Sequence, residues 1–108
     1  MGLSDMSKIK KIKKLRVNSF VFDISYADKG AGGRFSFSER KIELGINGAE
    51  DEQALMILTH ELMEICIVEM NCRLSRPDVD SDYVFVMDHR QFETACNMFS
   101  GLLAQFLE

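Results

Sequence analysis

The chain has 108 residues, of which 46% are hydrophobic and 28% charged, and its formal net charge is −4. This length suits one domain, and an apolar fraction of this size with a small net charge argues against intrinsic disorder. No apolar run approaches the ~20 residues of a membrane helix, and no apolar segment of a signal peptide follows the basic N-terminus. Three cysteines, in neither disulfide-framework nor zinc-finger spacing, indicate buried reduced thiols. Together these features predict a cytoplasmic protein with no membrane contact.

Charge divides the chain unevenly. Residues 1–16 contain six basic side chains and one acidic one, a local net charge of +5, whereas residues 17–108 carry −9. We therefore predict a basic leader over residues 1–16 and a single α+β domain over residues 17–108. The leader is either a solvated, flexible segment or one that packs Ile9, Ile12 and Leu15 against the domain. The acidity of the domain, and the lack of aromatic residues in the leader, argue against nucleic acid as the main ligand.

Alternating apolar residues predict strands in the first half of the domain. Residues 17–25 form the first strand, and residues 34–38 and 41–46 form a hairpin. A glycine-rich turn over residues 28–33 separates the first strand from the hairpin. We expect three strands in an antiparallel or mixed sheet, with residues 83–87 as a fourth strand or as an extended segment that leads into a helix.

The hydrophobic period then changes from strand to helix. Residues 50–72 carry apolar side chains around nearly the whole helical circumference, which predicts a central, buried helix. Asn47 or Gly48 is a candidate N-cap, and acidic residues crowd the first turn, where the helix dipole favours them.

A second helix is predicted over residues 89–107. Asp88 followed by Gln91 matches a capping box, and an apolar stripe that includes His89 runs along one side of the helix. The fold class is therefore α+β, with a small sheet packed on two long helices.

Polar residues interrupt the buried helix in the motif His-Glu-Leu-Met-Glu, which begins at His60. Positions i and i+4 share a helix face, so His60 and Glu64 can bind one metal ion together. Glu61 is offset by one position and can act on a water as a general base, as in His-Glu-x-x-His zinc helices. A catalytic zinc commonly takes three protein ligands, and two His with one Glu is an established set. We therefore predict zinc bound by His60, Glu64 and His89, with Asp88 as a cap that also orients a ligand.

An alternative explanation of the motif needs no metal. The strip can be an exposed polar helix face, or His60 can hydrogen-bond Glu64 or Glu61 in a buried polar cluster. An unpaired charge within an otherwise apolar helix would be costly, which argues against the exposed face.

Two segments resemble the minimal zincin-like proteins, small metallopeptidase-like proteins that phages and prophages often encode. Residues 57–65, with the sequence ILTHELMEI, resemble the active-site helix of this family. Residues 83–93, with the sequence YVFVMDHRQFE, resemble a Tyr-x-Phe-x-x-x-His-x-x-Phe region of small phage proteins of this type. The likeness covers about residues 40–105, and Glu64 stands where zincins usually have a histidine.

The resemblance implies a minimal zincin-like fold and a zinc-dependent hydrolase that acts on a peptide or protein. It implies His60, Glu64 and His89 as ligands and Glu61 as the general base. The alternative is a non-catalytic zincin-like protein that binds a host protein, either metal-free or with a structural metal. A homo-oligomer with its site between chains is also left open.

Overall fold

The computed structural model describes residues 9–75 and 83–107, which contain six strands and two helices. The predicted α+β class with two long helices is confirmed. The elements in chain order are β1 (Lys14–Val17), β2 (Phe20–Asp28), β3 (Gly33–Ser36), β4 (Lys41–Asn47), α1 (Asp51–Glu69), β5 (Arg73–Ser75), β6 (Tyr83–Phe85) and α2 (His89–Phe106).

The main sheet has four strands in the order β1-β2-β4-β3, so the expected three-stranded sheet is wrong. The sheet is mixed, because β2 pairs in parallel with β4 while β1 and β3 are antiparallel edge strands. The predicted hairpin is confirmed as β3 and β4. The additional strand is β1, which alternates buried Leu15 and Val17 with exposed Lys14 and Arg16.

The predicted strand over residues 17–25 is divided by a turn. Val17 pairs with Phe20, which leaves Asn18 and Ser19 as a two-residue connection between β1 and β2. Asn18 has φ +54°, a left-handed conformation that asparagine tolerates better than most residues. The tight turn places β1 beside β2. Three of the four residues of β1 belong to the segment 1–16 that the charge pattern assigns to the leader.

The start of the described chain contacts the domain. Ile9 forms a bridge with Leu107 after α2, and Ile12 packs against the core. Tyr26 donates a hydrogen bond of 2.6 Å from its hydroxyl to the carbonyl oxygen of Ile12. From Ile9 onward, the basic segment is therefore packed on the surface of the domain.

The core lies between the sheet and the two helices. Helix α1 contacts β3 and β4 as well as α2, and α2 also contacts β1. The largest fully buried side chains come from the main sheet and from both helices: Phe22, Phe106, Leu15, Ile42, Leu44, Leu58, Leu62, Ile65, Val17 and Cys66. Helix α1 is thus central, as its apolar circumference predicts.

The two helices begin differently. The N-cap of α1 is Glu50 and makes no side-chain cap hydrogen bond, so the predicted caps at Asn47 and Gly48 are wrong. The predicted capping box of α2 is confirmed: Gln91 N donates to Asp88 Oδ1 over 2.8 Å, and Asp88 N donates to Gln91 Oε1 over 2.9 Å. Neither α1 nor α2 combines the length and apolarity that a membrane crossing requires.

Strand β5 follows α1 directly and pairs antiparallel with β6, apart from the main sheet. The predicted strand at 83–87 is therefore present as β6, but in a separate hairpin. Ser75 is the last residue of β5, and residues 76–82 lie outside the described residues.

Candidate metal centre

Three side chains of α1 bring potential metal ligands together. Within the described residues, one ligand atom from each of His60, Glu61 and Glu64 lies within 4.8 Å of the others. His60 Nε2 is 2.7 Å from Glu64 Oε2 and 3.8 Å from Glu61 Oε2. The helical spacing of one and four residues produces this cluster, as the sequence motif predicts.

Burial differs sharply across the cluster. The imidazole of His60 is 67% exposed, whereas the side chain of Glu61 is only 6% exposed and that of Glu64 is 21% exposed. A buried carboxylate loses hydration, and this desolvation raises the pKa of Glu61. The proximity of His60 lowers the pKa of Glu61 in turn, and the charge of Glu64 raises it, both to a smaller extent. Glu61 therefore holds its proton at higher pH than an exposed glutamate would.

Gly33 allows Glu61 to lie against the sheet. It is the first residue of the edge strand β3, and a Cβ atom placed on it would lie 2.6 Å from Cγ of Glu61. Any side chain at this position would displace the carboxylate, because real Cβ contacts are not this short. Because Gly33 of β3 has no side chain, the side chain of Glu61 of α1 fits against the sheet.

Glu64 connects the cluster to the β5–β6 hairpin. Its Oε2 atom faces His60, and its Oε1 atom is 3.4 Å from Arg73 Nη1. The guanidinium of Arg73 also lies over the ring of Phe35 in β3, with 5.7 Å to the ring centroid. Glu64 therefore lies between an imidazole on its own helix and a guanidinium from the β5–β6 hairpin.

A groove of about 390 Å³ adjoins the cluster. Its lining comes from the turn before β3, the first residue of β3 and one side of α1, namely Gly32, Gly33, Met56, Ile57, His60 and Glu61. Met56 is strongly exposed there, so the lining is apolar except for the histidine and the carboxylate. Such a groove can hold an apolar group of a ligand next to the polar cluster.

The structure does not bring His89 to this cluster. His89 is the first residue of α2, its side chain is 84% exposed, and its Nδ1 atom pairs with Glu93 Oε1 over 2.8 Å. The expectation that it lies on the buried stripe of α2 is wrong, because the first turn extends beyond the core and Phe92 is also half exposed. Asp88 accepts its hydrogen bond from Gln91, as predicted for a cap.

Two residues of the site escaped the sequence analysis. Arg73 follows the predicted end of the first helix, and no spacing rule connects it to Glu64. Gly33 belongs to a glycine-rich turn. In such a turn the sequence does not show whether a glycine is needed for its backbone conformation or because a neighbouring side chain fills the space. Both depend on long-range contacts that only the fold creates.

The donor set is chemically suited to zinc. Zinc accepts imidazole nitrogen and carboxylate oxygen at ~2.0–2.2 Å, which places tetrahedral ligand atoms roughly 3.3–3.6 Å apart. The distances of 2.7 and 3.8 Å from His60 Nε2 lie on either side of that range. The imidazole nitrogen and the two carboxylate oxygens therefore lie near the spacing of zinc ligands.

Comparison of the chain with family models, curated proteins and solved structures finds no match.

Proposed function

We propose that this protein is a zinc-dependent hydrolase of peptide or amide bonds, with its metal at the His60–Glu61–Glu64 cluster. The observation that carries the proposal is the convergence of one imidazole and two carboxylates within 4.8 Å on α1. The burial of Glu61 beside a groove adds a group that could act on a bound water.

The residues have separate roles in this proposal. His60 and Glu64 would hold the metal, which would supply Lewis acidity for activating water near neutral pH and for polarising a carbonyl. Glu61 accepts the proton of the attacking water through its carboxylate and passes it to the leaving amine. Because burial raises the pKa of Glu61, its carboxylate is a stronger base than an exposed one.

The sheet edge beside the cluster suits an extended peptide. Within the described residues β3 pairs only with β4, so its other edge is available for a further strand. The opposite edge of the sheet is engaged, because Gln105 exchanges two hydrogen bonds with the backbone of Arg16 in β1. A peptide added to β3 would pass Gly33 and reach Glu61.

A second candidate function is a zinc-binding protein without turnover. His89 lies outside the cluster, so three donors remain, and zinc commonly takes three or four protein ligands. If Glu61 is itself a ligand, no carboxylate of the cluster is left to act as a base.

Glu61→Gln separates the two functions. For each variant, zinc content and affinity are measured on untagged protein by metal analysis and chelator competition, and hydrolysis is measured with a library of internally quenched peptides. As a hydrolase, the wild type binds one zinc per chain and cleaves, while Glu61→Gln keeps the zinc affinity within about threefold and loses cleavage at least about 100-fold. As a binding protein, Glu61→Gln loses zinc affinity.

The matched control exploits the second histidine. His60→Ala should abolish zinc binding, and His89→Ala should leave it unchanged, because only His60 belongs to the cluster. Wild-type protein that folds but takes up no zinc would disprove both functions. Zinc-loaded wild type that cleaves no library peptide faster than Glu61→Gln would contradict the hydrolase.

A further inference from the structure

The residues that lead into and form β1 carry basic side chains along one edge of the domain. Within residues 9–17 every side chain is either aliphatic or basic, and the two kinds differ in their environment. The aliphatic side chains are buried or partly buried: Ile9, Ile12, Leu15 and Val17. The basic side chains are all exposed: Lys10, Lys11, Lys13, Lys14 and Arg16. We call these five basic side chains the basic strip.

The backbone of the basic strip is fixed to the domain. The amide nitrogen of Lys10 donates a hydrogen bond of 2.6 Å to the carbonyl oxygen of Phe106, and Gln105 exchanges two hydrogen bonds with the backbone of Arg16. A block of like charges is usually a solvated segment, in which the charges can move apart. Here the aliphatic anchors and the hydrogen bonds hold the basic groups together on one surface.

Few acidic groups neutralise the basic strip. Lys14 pairs with Asp23 over 2.6 Å, and within the described residues no other member of the strip has an acidic partner. The carboxylate of Glu69, at the end of α1, accepts a hydrogen bond from Asn18 just beyond the strip. Four positive charges therefore remain unpaired on a fixed surface.

The acidic side chains lie mainly in the second half of the chain. Residues 1–48 contain ten basic and five acidic side chains, whereas residues 49–108, which include both helices, contain three basic and twelve acidic ones. The negative charge that argues against nucleic acid as a ligand therefore comes from elements other than the strip. Beside β1 a groove of about 490 Å³ gives an anionic group access to the strip, and its lining is Lys14, Arg16, Val21 and Gln105.

We propose that the basic strip binds the phosphate backbone of a nucleic acid duplex without reading its sequence. Lysine and arginine that neutralise phosphates release counterions, and this release supplies the affinity of non-specific binding. The inference does not depend on zinc binding or hydrolysis, because the strip shares no residue with the His60–Glu61–Glu64 cluster.

The composition of the strip favours a duplex over other anionic partners. Protein–protein interfaces are depleted in lysine and depend on aromatic and other apolar anchors, whereas the strip has four lysines and no exposed apolar side chain. The lack of aromatic residues also removes the stacking surface that single strands use. A membrane surface is disfavoured because a basic patch with nothing to insert anchors weakly.

The test measures how salt weakens binding to a fluorescent duplex of about 20 base pairs, since the number of phosphates neutralised sets the salt dependence. Anisotropy titrations at about 20 to 200 mM NaCl give the association constant. For the wild type we expect a dissociation constant on the order of 10–100 µM at the lowest salt and a slope of about −3.6 in the logarithmic salt plot, from four phosphate contacts.

Two double variants that remove the same net charge locate the binding surface. Lys13→Gln with Arg16→Gln changes the strip, whereas Arg34→Gln with Arg90→Gln changes β3, at the opposite edge of the sheet, and α2. All four side chains are exposed. The strip variant should bind at least about 10-fold more weakly at low salt with about half the slope, and the control variant should stay within about twofold of the wild type.

A wild type that does not bind the duplex at the lowest salt, or binds it without salt dependence, would overturn the inference. A control variant that loses as much affinity as the strip variant would overturn the strip as the surface. If the strip variant unfolds, Arg16→Gln alone replaces it, with an expected reduction of the slope by about 0.9.

Competition identifies the class of partner. Polyglutamate and vesicles of phosphatidylserine with phosphatidylcholine, at equal charge concentration, should displace the labelled duplex at least about 10-fold less effectively than unlabelled duplex, whose phosphates lie ~1.7 Å apart along the axis. Displacement by polyglutamate equal to that by the duplex would overturn the proposal in favour of an acidic protein. Equal displacement by the vesicles would overturn it in favour of a membrane surface.

Discussion

The chain contains two histidine–glutamate pairs with identical helical spacing and different surroundings. His60 and Glu64 lie 2.7 Å apart on α1, and His89 and Glu93 lie 2.8 Å apart on α2. Beside the first pair are the buried carboxylate of Glu61 and the guanidinium of Arg73, whereas both members of the second pair are exposed. Spacing therefore brings a histidine and a glutamate into contact in either helix, but only the surroundings of the first pair make it a candidate site.

The difference arises from how each helix meets the sheet. Helix α1 lies against β3 and β4, so a polar residue on it is forced against the sheet where Gly33 leaves room. The first turn of α2 lies beyond the core, and a polar residue there remains in water. A buried polar group must be compensated by its surroundings, and a solvated one need not be.

The largest expected effect separates the two pairs through zinc. Glu64→Gln should weaken zinc binding at least about 100-fold, because it removes a charged ligand, while Glu93→Gln should change it less than about twofold. Both affinities are measured by competition with a chromogenic chelator. Equal losses in the two variants would show that the surroundings of the first pair have no role in binding metal.

The next effect concerns the space that Gly33 provides. Gly33→Ala should destabilise the metal-free protein by about 1–3 kcal/mol in urea unfolding, because the new Cβ overlaps Glu61 Cγ. Gly101→Ala is the control, since its Cβ would meet nothing within 4 Å on α2, and it should stabilise by about 0.5–1 kcal/mol. Gly33→Ala should cost much less stability when it is added to Glu61→Ala than when it is added to the wild type, because the overlapping atoms of Glu61 are then absent. A full loss that persists in the double variant would mean that the clash is with something other than Glu61.

Local patterns predicted the helices and the β3–β4 hairpin well, because the signals lie within the elements themselves. The capping box at Asp88 is one such signal. The strand β1 was missed because Lys14 and Arg16 alternate with Leu15 and Val17 in a strongly basic segment, so the net charge concealed the alternation. The parallel pairing of β2 with β4 was also beyond prediction, since it joins strands that are not neighbours in the chain.

The candidate site was predicted only in part, for the same physical reason. Helical periodicity gives the direction of a side chain but not its depth, so it placed His60, Glu64 and Glu61 together and wrongly placed His89 with them. The contact of Arg73 with Glu64 depends on the hairpin that follows α1. Contacts within an element were predictable, and contacts between elements were not.

A smaller effect distinguishes the two helix starts. Asp88→Ala should cost about 1 kcal/mol, because it removes the hydrogen bond to the Gln91 amide. Glu50→Ala should cost less than about 0.5 kcal/mol, since the side chain of Glu50 makes no cap hydrogen bond. Both values come from urea unfolding of metal-free protein. A cost at Glu50 equal to that at Asp88 would contradict the difference in capping.

The smallest expected effect is a change in how stability depends on pH. Burial raises the pKa of Glu61 in the folded chain above its value in the unfolded chain, so between these two pKa values the folded state binds more protons. The free energy of unfolding must then fall as pH rises through that window, and Glu61→Gln should remove this part of the fall. Urea unfolding of metal-free wild type and variant from pH 4 to 8 should therefore show Glu61→Gln gaining stability relative to the wild type towards neutral pH. Parallel curves for Glu61→Gln and the wild type would mean that Glu61 is solvated in the folded protein.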